Sequence, residues 1–124
     1  MSAALLLIAP IMFSVLLLTT STVQAGGGPE TTLLVVNANS PLSKTIANFY
    51  TNLRDIPSNH VLQLPDIPSI ATLKIEDFRR KILSPIYQYL ISENLFDHID
   101  TIIYSADFPY SVDFSADAKL AGLK

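Results

Sequence analysis

The stretch Thr31-Thr-Leu-Leu-Val-Val36, followed by Asn37-Ala-Asn-Ser-Pro41, decides the fold of this 124-residue chain. The first six residues form a short apolar, β-branched run of the kind found in strands buried on both faces of a sheet. The next five are typical of a loop that ends at a helix start, because Ser40 can cap a helix and Pro41 suits its first position. A buried strand that leads into a helix is the first half of a parallel βαβ unit.

The helix that begins there carries Leu42, Ile46, Phe49 and Leu53 at spacings of four, three and four. This spacing places the four apolar side chains on one face, as in amphipathic helices that pack an apolar face on a core. We expect the helix to end before Pro57, because helical conformation is disfavoured for a residue that precedes proline.

Strands and helices continue to alternate through the rest of the chain. The predicted elements are a second strand at 60–64, a long helix at about 75–93, a third strand at 99–104 and a helix that begins at 115. Pro85 lies inside the long helix, whose apolar stripe keeps its phase across the proline, so we predict one kinked helix. The order predicts an α/β fold with a small three-layer parallel sheet, βαβαβ with strand order 2-1-3 and helices on both faces.

The first 25 residues have the organisation of a signal peptide. Their apolar run is shorter than the roughly 20 residues that a spanning helix needs. Val23 and Ala25 occupy the small-residue positions of a cleavage site, and residues 26–31 would follow as a flexible linker. This predicts an exported protein, secreted or periplasmic. No Lys or Arg precedes the apolar run, so a membrane anchor formed by an uncleaved leader is the alternative.

Composition excludes several classes of function. The net charge is −3, which gives no electrostatic reason to bind nucleic acid, and membrane contact is expected only if the leader is retained. The chain has no cysteine, which excludes disulfides, thiolate nucleophiles and Cys-ligated zinc. No glycine lies between Pro29 and Ala121, so Gly-rich nucleotide-binding loops are excluded there, and no cofactor is predicted.

A candidate ligand site follows from the architecture. In open parallel sheets, ligands bind outside the carboxyl ends of the strands, at the point where the strand order reverses. Polar residues follow the first and third strands at that point, and the ligand-binding candidates are Asn37, Asn39, Ser40, Ser105 and Asp107, with Ser43 one turn into the helix. Free N–H groups at the helix start favour an anion, but Asp107 would oppose one, so we expect an uncharged or cationic ligand group. The alternative is local, since Asn and Ser also favour turns and helix starts.

The two histidines do not predict a catalytic or metal site. His98 stands in Asp97-His-Ile-Asp100, which we interpret as a polar turn between helix and strand, and no metal site is predicted. His60 lies at the entry of the second strand and is interpreted as structural.

Several motifs together resemble a family of uncharacterised bacterial exported proteins. These motifs are Val35-Val-Asn-Ala-Asn-Ser-Pro-Leu-Ser43, Ile46-Ala-Asn-Phe-Tyr50, Arg54-Asp-Ile-Pro57 and Asn59-His-Val61. They resemble the family's Val-x-Asn-x-Asn-Ser strand end, its Ile-Ala-x-Tyr-Tyr helix and its Arg-x-Ile-Pro turn. The resemblance covers roughly residues 32–123 and implies an exported α/β domain without implying an activity. The family typically carries Gly-Val-Pro where this chain has Asp107-Phe-Pro109.

Two hypotheses about function follow. Family members are usually longer, and a three-stranded sheet is small for this class, so we expect residues 32–124 to be the N-terminal part of a larger domain. The first hypothesis is an exported α/β domain of unknown function without a complete catalytic site, which leaves open whether it is an enzyme. The alternative is a fragment of an α/β hydrolase or peptidase-like enzyme whose catalytic residues lie beyond Lys124.

The leader generates the first testable prediction. We expect cleavage after Ala25, because Val23 and Ala25 present the small side chains that a signal peptidase accepts. Intact-mass measurement of the exported protein should therefore give a chain that begins at Gly26. A mass that still includes Met1 or Ser2 would contradict cleavage and favour the anchor.

Overall fold

Strands and helices alternate through residues 27–122, which are the residues that this computed structural model describes. The predicted signal peptide, residues 1–25, lies outside them. The elements are β1 (Thr32–Asn37), α1 (Pro41–Arg54), β2 (Val61–Leu64), β3 (Thr72–Lys74), α2 (Ile75–Phe78), a π-helical segment (Arg79–Leu83), α3 (Ser84–Ser92), β4 (Thr101–Tyr104), β5 (Ser111–Asp113) and α4 (Ser115–Leu120). None of the helices in residues 27–122 has the length and apolar character needed to cross a membrane.

The main sheet is parallel, with strand order β2-β1-β4. Leu34 of β1 stands between Val61 of β2 and Ile103 of β4. All six residues of β1 are buried, as expected for a central strand covered on both faces. The predicted α/β class, the parallel sheet and the order 2-1-3 are confirmed, with β4 as the third strand of the prediction.

Helices cover both faces of this sheet, and β1 contributes to both cores because successive side chains of a strand point to opposite sides. On one face, Leu34 and Val36 pack with Ala47 of α1. The other face holds the larger core, where β1 meets the helical segments that run from α2 to α3. Its buried members are Leu33, Val35, Leu64, Ile67, Leu73, Ile82, Ile86, Leu90 and Leu95.

The buried face of α1 differs from the prediction. Leu42, Ile46, Phe49 and Leu53 are all exposed, and the helix instead turns Ser43 and Ala47 towards the sheet. Hydrogen bonds fix this rotation, because the Ser43 side chain and main chain both bond to residues at the ends of the strands. The apolar spacing predicted the helix correctly but assigned the wrong face to the core.

The predicted kinked helix is one continuous helical run with a wide turn before the proline. The Ser84 N–H donates to the Arg79 carbonyl five residues back, which is the π-helical pattern. A proline ring clashes with the carbonyl four residues before it and donates no hydrogen bond, and a wide turn relieves that crowding. The apolar stripe stays in phase, since Ile82, Ile86 and Leu90 are all buried.

A second, two-stranded sheet was not predicted. β3 and β5 pair in parallel, with Thr72 opposite Ser111 and Lys74 opposite Asp113. Each strand has three residues, too few to show the alternation by which strands are recognised in a sequence. The small sheet joins the loop after β2 to the loop after β4. These two loops form two walls of the cleft described below.

The predicted flexible linker 26–31 is structured over the part that the structure describes. Pro29–Thr31 is a short 3-10 helix, and the hydroxyl of Thr32 donates to the Gly28 carbonyl at 2.8 Å. Gly27 lies against the start of β4, where an added Cβ would come within 2.6 Å of the Thr101 hydroxyl. The chain is therefore packed on the domain before β1 begins.

The rotation of α1 can be tested by two substitutions on the same helix. Ala47 is 3% exposed and Phe49 is 71% exposed. We expect Ala47→Leu to lower the free energy of unfolding by about 1–3 kcal/mol through overpacking. Phe49→Ser should change it by no more than about 0.5 kcal/mol, as surface substitutions do. Urea denaturation at low protein concentration measures both.

A larger loss for Phe49→Ser than for Ala47→Leu would contradict this orientation. It would mean that the apolar face of α1 packs on the sheet, since truncating a buried Phe costs about 3–5 kcal/mol.

Candidate functional site

A cleft of about 580 Å³ opens at the carboxyl edge of the main sheet, where β1 and β4 end. It lies between the β1–α1 loop, the loop after β2 and the loop after β4. Its lining residues are Asn37, Asn39, Ser40, Pro41, Ile67, Pro68, Ser69, Ile70, Ala71, Asp107, Phe108 and Tyr110. Four of the five candidates predicted from the sequence line this cleft, and the fifth, Ser105, lies beside it.

The start of α1 is tied to the end of β1 by side-chain hydrogen bonds. Ser40 caps the helix, because its hydroxyl accepts from the Ser43 N–H at 3.0 Å. The Ser43 hydroxyl in turn accepts from the Asn37 N–H at 2.9 Å. Asn37 also orders the loop, since its side-chain oxygen accepts from the Asn39 N–H at 3.0 Å. These bonds satisfy backbone donors that would otherwise be buried without partners.

The loop after β4 is held against Asn37, Ser40 and Ser43 by further hydrogen bonds. The Asn37 side-chain amide donates to the Asp107 carbonyl at 2.8 Å, and the Ser40 hydroxyl donates to the Asp107 carboxylate. One turn along the helix, the Ser105 hydroxyl donates to the Ser43 carbonyl at 2.7 Å. We call this set of hydrogen bonds among Asn37, Ser40, Ser43, Ser105 and Asp107 the strand-end clamp. It joins β1, α1 and the chain after β4.

Asp107 adopts a backbone conformation that few residues tolerate. Its φ is 61°, in the left-handed region that favours glycine and that Asp and Asn enter more readily than most others. The Ser40 hydroxyl, from a distant part of the chain, donates to the Asp107 carboxylate and so holds this side chain. The strained residue is thus held in place by the strand-end clamp.

The carboxylate of Asp107 also fills the position that an anion would take at the start of α1. The first turn of this 14-residue helix contains no acidic side chain, and a negative charge is favourable at a helix N-terminus. Asp107 supplies that charge from another part of the chain through its bond to Ser40. A second anion would be repelled, so the cleft suits an uncharged or cationic group.

Burial divides the predicted candidates into two groups. Asn37, Ser40 and Ser43 are buried, with the hydrogen bonds described above, whereas Asn39 and Asp107 are exposed and Ser105 is half-buried. The first group therefore positions the loops, and the second group is available to a ligand. The sequence left open whether these residues cap loops and helix starts or contact a ligand, and the structure offers the first role to the buried group and the second to the exposed group.

Ser105 belongs to a smaller neighbouring pocket of about 290 Å³ behind the loop after β4. The rings of Tyr104 and Phe108 lie there with centroids 5.2 Å apart. Partial burial raises the pKa of the Tyr104 phenol above its ordinary value. The pocket is mostly apolar, and Asp107, Phe108 and Tyr110 line both it and the larger cleft.

Both histidines lie away from the cleft. His60 is buried directly before β2, and His98 is exposed in the turn before β4. In a parallel sheet the amino ends of the strands lie at the edge opposite the carboxyl ends, so neither imidazole lies beside Ser40, Ser43 or Ser105. Within residues 27–122, no group of three or more His, Cys, Asp or Glu side chains is placed to hold a metal ion.

The apolar walls of the cleft were not predicted from the sequence. Ile67, Pro68 and Ile70 come from the loop after β2, and Phe108 and Tyr110 come from the loop after β4. The paired prolines at 65 and 68 indicated a stiff loop there. Nothing in the local sequence indicated that the short β3–β5 sheet would bring this loop to the end of β4.

Comparison of the chain with protein-family models, with curated proteins and with solved structures finds no match. The geometry of the cleft is therefore the basis on which a function can be proposed.

The strand-end clamp generates a prediction for Asp107. We expect Asp107→Ala to lower the free energy of unfolding by about 1–2 kcal/mol, because it removes the charge and hydrogen bond at the helix start and leaves Ala in a left-handed conformation. Asp107→Asn should lose less than half as much, since Asn tolerates that conformation and its side-chain oxygen can still accept from Ser40. Equal losses for both variants, or none, in urea denaturation would show that the clamp contributes little.

Proposed function

We propose that this chain is an exported, non-catalytic α/β unit whose carboxyl-edge cleft binds a partly apolar ligand through an uncharged or cationic group. One observation carries the proposal. The cleft has walls of Pro, Ile, Phe and Tyr, and its lining includes a single charged side chain, the exposed carboxylate of Asp107. Small-molecule sites usually combine mostly apolar walls with a few polar groups that fix orientation.

The hydrogen bonding of the serines supports a non-catalytic unit. A serine nucleophile needs a base that takes its proton and a free path to the substrate. The Ser40 hydroxyl is buried as a helix cap and donates to Asp107, while the Ser43 hydroxyl accepts from the main chain. With both imidazoles at the opposite edge of the sheet, these hydroxyls serve structure.

Asp107 and Asn39 determine the polar preference of the cleft. An ammonium or amide group can donate to the Asp107 carboxylate, and the Asn39 side chain can donate or accept. A carboxylate or phosphate would face Asp107 without a compensating cation, since neither Lys nor Arg is among the residues that line the cleft. The charge pattern therefore favours cations over neutral groups, and neutral groups over anions.

The proposal that the chain is exported depends on its leader sequence. The conformation of Asp107 supports the resemblance to the family of exported proteins. The resembled family carries glycine where this chain has Asp107. A φ of 61° at that position is one that glycine adopts without strain. We propose accordingly that the chain is an N-terminal α/β part of such an exported protein.

A second candidate is an enzyme whose catalytic residues come from outside residues 27–122. The position of the cleft favours it, because substrates of open α/β enzymes bind at the carboxyl ends of the strands where the order reverses. In that case the strand-end clamp would position the substrate-binding loops, and the described residues would contribute binding alone.

A matched series of ligands tests the proposed function. Phenethylamine, phenylacetamide and phenylacetate share an aromatic ring and differ in the charge of the polar group. In NMR titrations we expect the amine to shift the amide signals of residues that line the cleft at the lowest concentration, and the carboxylate at the highest. Asp107→Asn should weaken amine binding about tenfold, because it removes one charge–charge interaction, and should leave binding of the amide unchanged.

Equal affinity for the amine and the carboxylate, or shifts outside the cleft, would contradict the proposal. Hydrolysis of an activated ester by this chain tests the non-catalytic assignment, which predicts turnover no faster than buffer. Faster turnover that Ser40→Ala abolishes in a stably folded variant would contradict it.

A further inference from the structure

The sheet edge formed by β4 leaves exposed apolar side chains on both faces of the sheet: the flank of α1 on one face, and Ile102 and Tyr104 on the other. We propose that a second copy of this chain binds there, with the two β4 strands paired antiparallel about a two-fold axis. The inference is independent of the cleft, which lies at another edge of the sheet.

The flank of α1 faces the β4 side of the molecule. A β1–α1–β2 crossover is right-handed, and Ser43 and Ala47 point towards the sheet, so residues one quarter turn before them face β4 rather than β2. Two contacts agree with this placement. Ile103 of β4 packs on the cluster that contains Ala47, and the Ser105 hydroxyl bonds to the Ser43 carbonyl. The apolar stripe of Leu42, Ile46, Phe49 and Leu53 therefore overhangs the edge of the sheet.

The outer edge of β4 has none of the devices that usually protect an edge strand. Among the strands of residues 27–122, β4 pairs with β1 alone, so half of its backbone polar groups lack a strand partner. Its sequence, Thr101-Ile-Ile-Tyr104, contains no charge and no proline. Natural edge strands are usually blunted by Lys, Pro or a bulge, because an exposed edge pairs readily with another strand.

A second copy, related by one two-fold axis, would pair the free edge of β4 and cover the exposed flank of α1. A two-fold axis perpendicular to the sheet at this edge pairs β4 with its counterpart and produces one six-stranded sheet. The same axis places both α1 helices on one face with their apolar flanks turned towards each other. Such an interface buries the same patch of both copies, so charges of one sign within it would repel. The patch contains no charged side chain, which suits self-association.

The exposed area is close to what a dimer needs. Six large exposed side chains lie at this edge, Leu42, Ile46, Phe49 and Leu53 on the α1 face and Ile102 and Tyr104 on the opposite face. Each exposes on the order of 100 Å², so the two faces together offer roughly 600 Å² per copy to a partner that pairs with the edge. A standard interface buries about 800 Å² per partner, and the backbone of the paired strands supplies much of the difference.

Sedimentation of the purified, exported chain over a range of concentrations tests the proposal. We expect a monomer–dimer equilibrium with a micromolar Kd. Phe49→Lys and Ile102→Lys should each weaken it by at least about tenfold, because each places a positive charge in an otherwise apolar interface. Ile91→Lys is the matched control, since Ile91 is an exposed residue of α3 outside the patch, and it should leave the Kd unchanged. Phe49 stands on an exposed helical position, so its variant keeps the test informative if Ile102→Lys disrupts the strand.

Hydrogen exchange gives an independent readout. Amide protection of residues 101–104 should rise with protein concentration if β4 pairs with its counterpart. A monomer at high concentration, or a dimer insensitive to both Lys variants, would overturn the proposal. If the chain that retains its leader is monomeric while the exported chain dimerises, the leader covers the patch until it is cleaved and the second copy occupies it afterwards.

Discussion

The strand-end clamp is the constraint on which the rest of this structure depends. Its centre is Ser43, whose hydroxyl accepts from the Asn37 N–H and whose carbonyl accepts from the Ser105 hydroxyl. These bonds fix how α1 is rotated about its own axis. Rotating the helix by a quarter turn would bury its apolar stripe but leave the main-chain donor of Asn37 without a partner, and an unsatisfied buried donor costs about 1–3 kcal/mol.

The clamp has consequences at two distant surfaces. At the carboxyl edge it brings Asp107 to the start of α1 and so gives the cleft its single carboxylate. On the flank of α1 it leaves four large apolar side chains in solvent, because the small residues Ser43 and Ala47 occupy the contact with the sheet. The proposed ligand preference and the proposed self-association therefore trace to the same hydrogen bonds, although each depends on different residues.

The sequence predicts those parts of the fold in which local pattern and tertiary environment agree. The apolar run of β1 predicts a strand buried on both faces, and Ser40-Pro41 marks the start of α1 where the structure has it. Convergence of polar residues at the carboxyl edge follows from the topology. The buried face of α1 could not be predicted, because apolar spacing identifies a stripe without showing whether the stripe or a small polar face meets the sheet. The walls of the cleft depend on β3 and β5, which are too short to leave a periodic signal.

Thiol reactivity on α1 tests the clamp most directly, since the chain has no cysteine of its own. Phe49→Cys and Ala47→Cys would be made singly, and again together with Ser43→Ala, and each would be treated with a thiol reagent. If the clamp fixes the helix rotation, then in dilute, monomeric protein the thiol at position 49 reacts like a free thiol and the thiol at position 47 is strongly protected. Ser43→Ala should reduce that protection. Faster reaction at position 47 than at position 49, or protection at position 47 that Ser43→Ala leaves intact, would contradict this account.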